Sequence, residues 1–237
     1  MNCAPSPARS LTGAIRPLDV AAIVAVLAVL AVLTMAFAAR MREAALRKAC
    51  MVNLKQLGTA VGGYAKDNGG ELPDCLSNPR FAGPVWPWDI STNLTTTLAG
   101  YGAKRENFYC PANTEMNDER HWNYASMSGG TVRVVGYGML FKGHAQVPSN
   151  LWRFKVDPMN EQMPSNQELM FDATAGLGGD YTRIQGTWVD RSNHVRKNRP
   201  LGGHILFTDL HVDWRDFDKM SVRLNTMGTG GPIVWSF

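Results

Sequence analysis

Five side chains that could bind a metal ion lie close together near the end of the chain. They are His194, His204, Asp209, His211 and Asp213. Imidazole nitrogens and carboxylate oxygens are ordinary ligands of zinc and related metals. The segment nevertheless lacks both the paired histidines of an H-E-x-x-H helix and closely spaced cysteines. We therefore expect no transition metal here, and the simpler role for His194 is a hydrogen bond to a buried carbonyl.

These residues lie on a predicted β-hairpin. Residues 205–207 and 212–214 are two short apolar runs that we predict to be strands, with Asp209 capping the turn between them. Side chains alternate between the two faces of a strand, so His211 and Asp213 share a face opposite to the apolar residues. This alternation is typical of a strand with one face in solvent. The second strand therefore argues against a metal centre.

No other segment carries a catalytic signature. A nucleophile elbow, a phosphate-binding loop and a dinucleotide fingerprint are all missing from the sequence. The Gly-rich residues 176–179 have no lysine and no helical pattern after them, so we predict a loop. The net charge of +4 is mild and spread along the chain, which argues against nucleic-acid binding. We expect a protein that is not an enzyme.

One apolar stretch near the start must position everything that follows. Residues 20–39, VAAIVAVLAVLAVLTMAFAA, contain no charge and are bracketed by Asp19 and Arg40. As a helix they would span roughly 30 Å, the thickness of a bilayer's hydrocarbon core. The sequence therefore predicts one membrane helix that carries a water-exposed domain.

The start of the chain leaves three alternatives open. Residues 36–38, Ala-Phe-Ala, could end a cleaved secretory signal, although the apolar run is long for one. The run could also be a plain anchor, or a helix that is retained after a short leader is removed. The basic residues that follow it would favour the cytoplasmic side. They are Arg40, Arg42, Arg47 and Lys48. Against them, the cysteines and the Trp-rich domain suit an exported location, which we favour.

The helical pattern continues beyond the membrane stretch. The apolar residues recur at spacings of four and three, which marks one face of a helix. They are Cys50, Leu54, Leu57, Val61 and Tyr64. Residues 67–70, Asp-Asn-Gly-Gly, and then Pro73 end the pattern. We predict a single helix from near Leu18 to Lys66, about 70 Å long.

Three cysteines follow the membrane stretch and one, Cys3, precedes it. In an oxidising compartment two of the three could form a disulfide. Cys75 and Cys110 lie in loop-like surroundings whereas Cys50 lies on the helical pattern, so we favour a Cys75–Cys110 pair. The alternative is that all three are thiols.

Within the domain, residues 74–100 read as a loop with the Trp86–Trp88 segment as an aromatic anchor. Residues 132–141 are β-rich and contain Gly136 and Gly138, which predicts a strand with a bend. Residues 167–172 form another predicted strand.

Residues 49–73, ACMVNLKQLGTAVGGYAKDNGGELP, resemble the helix end of prepilin-type, pseudopilin-like proteins. They are similar in particular to a bacterial group named for a prepilin-processing-associated H-x9-DG motif. That group has Cys, then Asn-Leu-(basic)-Gln-Leu-Gly, then Tyr and an acidic-Asn-Gly turn. Here Cys50, residues 53–58, Tyr64 and residues 67–69 supply the pattern. Residues 108–111, Phe-Tyr-Cys-Pro, resemble the family's aromatic-Cys-Pro step.

The family also has a C-terminal pattern of His, Gly-Gly-Asn, an apolar strand and Asp-Gly-His-Val. The matching residues are His194, Gly202, Gly203, Asp209 and His211. Leu210 replaces the family's Gly, and the spacing from His194 to Asp209 exceeds the motif's nine residues. Because the turn needs φ > 0 at this place, we expect Leu210→Gly to be neutral or stabilising by roughly 1 kcal/mol.

At the N-terminus the resemblance implies processing by a prepilin peptidase. The nearest alignment puts Ala14 before the cleaved bond, Ile15 after it and Asp19 where prepilins have Glu, with Arg16 and Pro17 replacing apolar residues. Asp19 would then pair with the N-terminal amine of a neighbouring subunit. The alternative is that Asp19 is a helix N-cap in the headgroup layer.

Taken together, we expect an α+β, pilin-like fold: a long N-terminal helix packed on an antiparallel β-sheet domain. The segments are residues 1–16, a leader; 17–39, the transmembrane helix; 40–68, its extension; and 69–237, the loop-rich β domain.

The resemblance implies a structural subunit of a type II secretion pseudopilus or type IV pilus-like filament. It would be anchored in the inner membrane with its domain periplasmic or at the cell surface. Its partners would be other pilin-like subunits, an inner-membrane assembly platform and the peptidase.

The alternatives are a tethered binding module that does not polymerise, and a metal-dependent periplasmic hydrolase using His194, His204 and His211. We expect no cofactor. A Ca²⁺ site of the kind known in some pseudopilins is the alternative, with Asp172, Asp180 and Asp209 as its first oxygen ligands.

Overall fold

A computed structural model of the chain describes residues 16–75, 86–125, 131–144, 146–156, 167–182, 184, 191–228 and 231–237. The processing residues Ala14 and Ile15, and Cys3, lie outside these ranges. The chain divides into two compact units, residues 1–44 and residues 45–237.

The first element is helix α1, Pro17–Asp67, which confirms the single long helix predicted from the sequence. Proline suits this first position, because the N–H it lacks would have no helical partner there. Asp19 lies in the first turn, and its Oδ2 accepts a 3.0 Å hydrogen bond from the Arg16 N–H. A carboxylate is also favourable near the positive end of the helix dipole. Asp19 is therefore a first-turn residue that bonds back to Arg16, and the interpretation of it as the N-cap is wrong.

Helix α1 ends where the Asp-Asn-Gly-Gly segment predicts. Gly69 and Gly70 have φ of 62° and 83°, which glycine adopts without steric cost. The Gly70 N–H donates to the Ala65 carbonyl at 2.7 Å, and the Asn68 side-chain amide donates to the Tyr64 carbonyl at 2.8 Å. These bonds satisfy carbonyls that the last helical turn leaves without partners.

In the first unit, the side chains of residues 17–42 are exposed. Among the described residues, α1 is the one helix whose length and composition would allow it to cross a membrane. The predicted membrane segment, residues 20–39, lies within it. An apolar stretch of this kind is stable when its side chains are in lipid and its backbone groups are paired within the helix.

The second unit contains the rest of α1, two short α-helices, three 3-10 turns and twelve strands among the described residues. The helices are α2, Thr92–Gly100, and α3, Glu119–Trp122. The strands are β1 Asp89–Ser91, β2 Tyr124–Ala125, β3 Thr131–Val134, β4 Tyr137–Met139, β5 Glu168–Asp172, β6 Ala175–Leu177, β7 Val195–Arg196, β8 Arg199–Pro200, β9 Gly202–Phe207, β10 Val212–Asp216, β11 Val222–Gly228 and β12 Gly231–Ser236.

The strands form antiparallel sheets with the orders β10-β9-β5-β4, β1-β3-β2, β11-β12-β6 and β7-β8. The combination of a long N-terminal helix and antiparallel sheets is the α+β architecture expected from the sequence. The predicted hairpin is β9–β10, with Trp214 opposite His204 in the register.

Residues 45–67 of α1 bury the predicted apolar face. Leu54, Leu57 and Val61 are fully buried, which stabilises the fold by about 1.5–3 kcal/mol for each side chain. Two glycines let the β9–β10 hairpin approach this part of the helix closely. A Cβ on Gly58 would lie 2.9 Å from Leu206 Cδ1, and one on Gly62 would lie 2.6 Å from Leu210 Cδ1.

The aromatic core lies around Trp88, as the sequence predicts for the Trp86–Trp88 segment. The Trp88 and Trp235 rings are 4.6 Å apart, and Phe171 stacks on Phe237 at 4.0 Å. Trp235 lies on β12, a strand that the sequence analysis did not predict.

Three local predictions were wrong. Residues 74–100 are not all loop, because they contain β1 and α2. Residues 132–141 are not one bent strand, because β3 and β4 belong to different sheets. The Gly-rich residues 176–179 are not only a loop, because β6 includes Gly176 and Leu177.

Candidate functional site

Four buried side chains of the second unit converge on one point. They are Cys50, Asp172, His194 and His204, and one potential ligand atom from each lies within 4.8 Å of those from the others. Cys50 comes from α1, Asp172 from the end of β5, His204 from β9, and His194 from the residue before β7. Each of the four residues is at most 5% exposed. We call these four residues the CDHH cluster.

Asp172 is the centre of the CDHH cluster. Its Oδ2 lies 3.2 Å from Cys50 Sγ, 3.6 Å from His194 Nε2 and 3.5 Å from His204 Nδ1. Two N–H groups also donate hydrogen bonds to the carboxylate. The His204 backbone N–H donates to Oδ2 at 2.8 Å, and the Asn193 side-chain amide donates to Oδ1 at 2.8 Å.

These donors keep Asp172 ionised although it is fully buried. Burial alone would raise the pKa of the carboxyl, but the His204 and His194 imidazoles and the His204 backbone N–H lower it, and the pKa lies below its usual value. A buried carboxylate is stable only with such partners. Asp172 therefore contributes a carboxylate to the cluster.

A second cysteine, Cys110, lies beside the cluster. Its Sγ is 3.3 Å from His194 Nε2, and the Cys110 and Cys50 thiols hydrogen-bond to each other. Burial raises the pKa of Cys50 well above its usual value. Burial also opposes ionisation of Cys110, but hydrogen bonds with Cys50 and His194 bring the pKa of Cys110 below its usual value. The Tyr137 hydroxyl also lies next to Cys50, 3.4 Å from its Sγ.

The disulfide predicted between Cys75 and Cys110 is not formed in the structure. Cys50, Cys75 and Cys110 are all buried free thiols among the described residues. The neighbour of Cys110 is Cys50, the cysteine that the sequence analysis set aside because it lies on a helix.

Trp214 covers the two imidazoles. Its ring packs edge-on against His194 at 5.1 Å and against His204 at 4.9 Å. The Arg47 guanidinium lies 4.0 Å from the centre of the same indole ring. Aromatic contacts of this kind fix the orientation of the imidazoles and reduce their access to water.

The backbone at the cluster is constrained. His194 has φ of 49°, an uncommon conformation for a residue other than glycine that often marks a functional site. Gly202 has φ of 150°, and a Cβ there would lie 2.3 Å from the Arg215 carbonyl oxygen. A Cβ on Gly203 would lie 2.7 Å from Asp172 Cβ. The Gly-Gly pair of the family pattern therefore makes room for Asp172 and β10.

The structure separates the other predicted residues from the cluster. His211 and Asp213 are exposed, as the strand pattern predicts. Asp209 accepts a hydrogen bond from the His211 N–H at 3.1 Å, which confirms its role in the turn. Nε2 of His194 lies 3.3 Å from Cys110 Sγ and 3.6 Å from Asp172 Oδ2, so this histidine belongs to the cluster.

The sets of residues that the sequence suggested as metal ligands do not come together. Within the described part of the chain, the potential metal-binding group includes neither Asp180 nor Asp209, so the oxygen set for Ca²⁺ is not assembled. His211 is also outside the cluster, so the three histidines of the hydrolase alternative are not one site. Sequence reasoning missed Cys50 as a potential ligand, because its signals were a place on the buried helix face and a place in the family pattern.

Comparison with protein-family models, with curated proteins and with solved structures finds no match to this chain.

Proposed function

We propose that the protein is a pseudopilin-like structural subunit of a type II secretion or type IV pilus-like filament, anchored in the inner membrane. The observation that carries this proposal is helix α1. Its residues 20–39 are apolar on all sides and exposed, while residues 45–67 bury one face in an antiparallel-sheet unit. One helix that serves first as an anchor and then as part of a sheet domain is what such a subunit needs.

In this proposal, the exposed half of α1 has two successive environments. In the membrane its apolar side chains are covered by lipid, and in the filament they are covered by the same segment of neighbouring subunits. Small residues allow close helix–helix packing, and alanine is frequent in residues 20–39. The domain, periplasmic or at the cell surface, would form the outside of the filament.

Asp19 would guide assembly. After cleavage between Ala14 and Ile15, its carboxylate would accept a neighbour's N-terminal amine, because an acidic side chain at the membrane edge is costly without a partner. In the single chain that carboxylate already accepts the Arg16 N–H. The carboxylate can accept further donors, so assembly would add an ion pair between subunits to this internal hydrogen bond.

That internal hydrogen bond also favours a second candidate. A membrane-tethered module that never polymerises needs no outside partner for Asp19, and Arg16 and Pro17 would suit an uncleaved start. The second candidate keeps the anchor and the domain but has no filament partners.

The test is the N-terminal residue of the full-length protein from its native membrane, measured by intact mass and Edman sequencing. The filament proposal expects a start at Ile15. Crosslinks between copies should be lost in Asp19→Asn and kept in Asp67→Asn, a matched change at the other end of α1. An intact Met1 with no crosslinks supports the tethered module, and a start at Ala39 would refute both candidates.

A further inference from the structure

Three ligand-to-ligand distances in the CDHH cluster are close to those of a tetrahedral metal site, and all of its ligand atoms lie within 4.8 Å of one another. Metal–ligand bonds of about 2.0–2.3 Å in a tetrahedron place the ligand atoms about 3.3–3.8 Å apart. The distances from Asp172 Oδ2 to the Cys50, His194 and His204 ligand atoms are 3.2, 3.6 and 3.5 Å. These three distances are compatible with an ion of zinc's size bound between Asp172 and the other three ligands.

One ligand atom of the cluster lacks a hydrogen bond. Nδ1 of His204 is buried and makes none in the described structure, although Asp172 Oδ2 lies 3.5 Å away. The contact with Asp172 Oδ2 is longer than an ordinary N–H···O hydrogen bond, so this nitrogen is only weakly satisfied. A metal ion at the centre of the cluster would accept the lone pair of this nitrogen.

The surroundings of the cluster match the outer shell of a metal centre. Ligating carboxylates are usually oriented by hydrogen bonds from neighbouring groups. The Asn193 side-chain amide donates to Asp172 Oδ1, and the His204 backbone N–H donates to Asp172 Oδ2. Trp214 fixes both imidazole rings. The ligands are thus held in place by other parts of the chain.

We propose that Cys50, Asp172, His194 and His204 bind one zinc-class transition metal ion, which this protein uses structurally. A thiolate with two imidazoles selects zinc and its neighbours over Ca²⁺ and Mg²⁺, which prefer oxygen ligands. Four buried protein ligands leave no open position for water or substrate, which is typical of structural sites. Binding replaces the Cys50 S–H bond by a sulfur–metal bond and releases the proton to solvent.

The ion would join parts of the chain that are distant in sequence. Cys50 lies on the helix and the other three ligands lie on or beside the sheets, so one ion would fasten α1 to the domain. Because the ligand set exists only in the folded protein, metal binding would stabilise the fold. This role is independent of whether the protein forms filaments.

The experiment uses the full-length protein in a mild detergent with a reducing agent. After treatment with a chelator, Zn²⁺ or Co²⁺ is restored and the bound metal is measured by mass spectrometry of the elements. We expect one ion per chain and a higher thermal midpoint than in the metal-free protein. The cobalt form should show the intense absorption of tetrahedral cobalt and a thiolate-to-cobalt charge-transfer band.

Matched variants separate the ligands from other buried residues. Cys50→Ser should lose the charge-transfer band, and His204→Ala should lose the metal. Each of these two variants should weaken metal affinity by more than about 100-fold. Asn193→Ala should weaken metal affinity by about 10–100-fold. Cys75→Ser and His144→Gln change a buried cysteine and a buried histidine outside the cluster and should bind normally. Cys110→Ser, beside the cluster, should also keep the metal.

Several results would overturn the proposal. Folded protein that takes up no stoichiometric metal would refute it, and so would metal that Cys50→Ser and His204→Ala both retain. If these variants do not fold, the cobalt spectrum of the unchanged protein decides, since a missing thiolate band excludes Cys50 as a ligand. A Cys50–Cys110 disulfide in protein from its native membrane, found by mass mapping, would also exclude it.

Discussion

Leu210 combines a strained backbone with a packed side chain, so its substitutions test both effects. It is the third residue of the loop between β9 and β10 and has φ of 68°, which confirms the left-handed conformation predicted from the sequence. The Leu210 N–H donates to the Phe207 carbonyl at 2.9 Å, as in a three-residue hairpin loop that ends in a left-handed residue. Its side chain is half-buried and lies against Gly62 of α1.

The two effects nearly cancel in Leu210→Gly. Removing the left-handed strain gains about 1–2 kcal/mol. Losing a half-buried leucine costs about 1 kcal/mol, half of what full burial provides, and the greater freedom of glycine in the unfolded chain costs about 0.4–1 kcal/mol. We therefore expect a free energy of unfolding within about 1 kcal/mol of the original, and no clear stabilisation.

Leu210→Ala separates the two effects, because it removes the packing and keeps the strain. We expect Leu210→Gly to be more stable than Leu210→Ala by about 0.5–1 kcal/mol, the strain relief less the entropy cost. The control is Asn150, an exposed residue that is not among those with positive φ. There Asn150→Gly should be less stable than Asn150→Ala, the reverse order.

Urea unfolding of the full chain in mild detergent, followed by tryptophan fluorescence, gives these differences. All seven tryptophans lie after residue 85, so the signal reports on the second unit. If Leu210→Gly proves less stable than Leu210→Ala, the strain is negligible and the reasoning fails. If both variants match the original protein, the contact with Gly62 contributes nothing.

Three further predictions follow from single contacts, each measured by urea unfolding. Burial lowers the pKa of His144 to about 4, so the unfolded chain binds a proton below about pH 6.5 that the folded protein does not. Because of His144, the free energy of unfolding should fall by about 3 kcal/mol between pH 6.5 and 4. In His144→Gln the fall over the same range should be smaller by that amount. Equal pH profiles of the original protein and His144→Gln would contradict this. Gly203→Ala should destabilise by about 1–3 kcal/mol because its Cβ would press on Asp172, whereas Gly100→Ala, with open space around it, should not. Ser91→Ala should lower the free energy of unfolding by about 1 kcal/mol, because the Ser91 hydroxyl is the N-cap of α2 and accepts a 3.0 Å hydrogen bond from the Leu94 N–H. An unchanged urea midpoint would show that water replaces the Ser91 hydroxyl.

Local sequence patterns predicted α1 and the β9–β10 hairpin because their signals are strong and continuous. The 3.6-residue period and the Gly69–Gly70 stop mark the helix, and the alternation around His211 marks the hairpin. Helix α2 was missed because TNLTTTLAG is rich in threonine, a weak helix former, and depends on packing and on the Ser91 cap.

The CDHH cluster could not be predicted in the same way. Its residues are separated by 122, 22 and 10 positions along the chain, and only tertiary packing brings them together. The sequence placed Cys50 on a buried helix face and in the family pattern, and it offered Asp172 only as an oxygen ligand of the Ca²⁺ alternative. The strand pattern did place His211 and Asp213 in solvent, which also means that Trp214 faces inward beside its partner His204. The hairpin alone thus indicated the position of His204, one of the four cluster residues.

The contacts at two glycines of α1 also fix the position of this part of the helix along its axis relative to the β9–β10 hairpin. Gly58 and Gly62 are one helical turn apart, and the side chains of Leu206 and Leu210 pack against them. If the helix slid by four residues, about 6 Å, Leu54 would replace Gly58 in one direction and Lys66 would replace Gly62 in the other. A leucine of the hairpin would then clash with a large side chain. Tension along the helix would therefore meet a steric stop at this contact, so the domain would be drawn along with the helix.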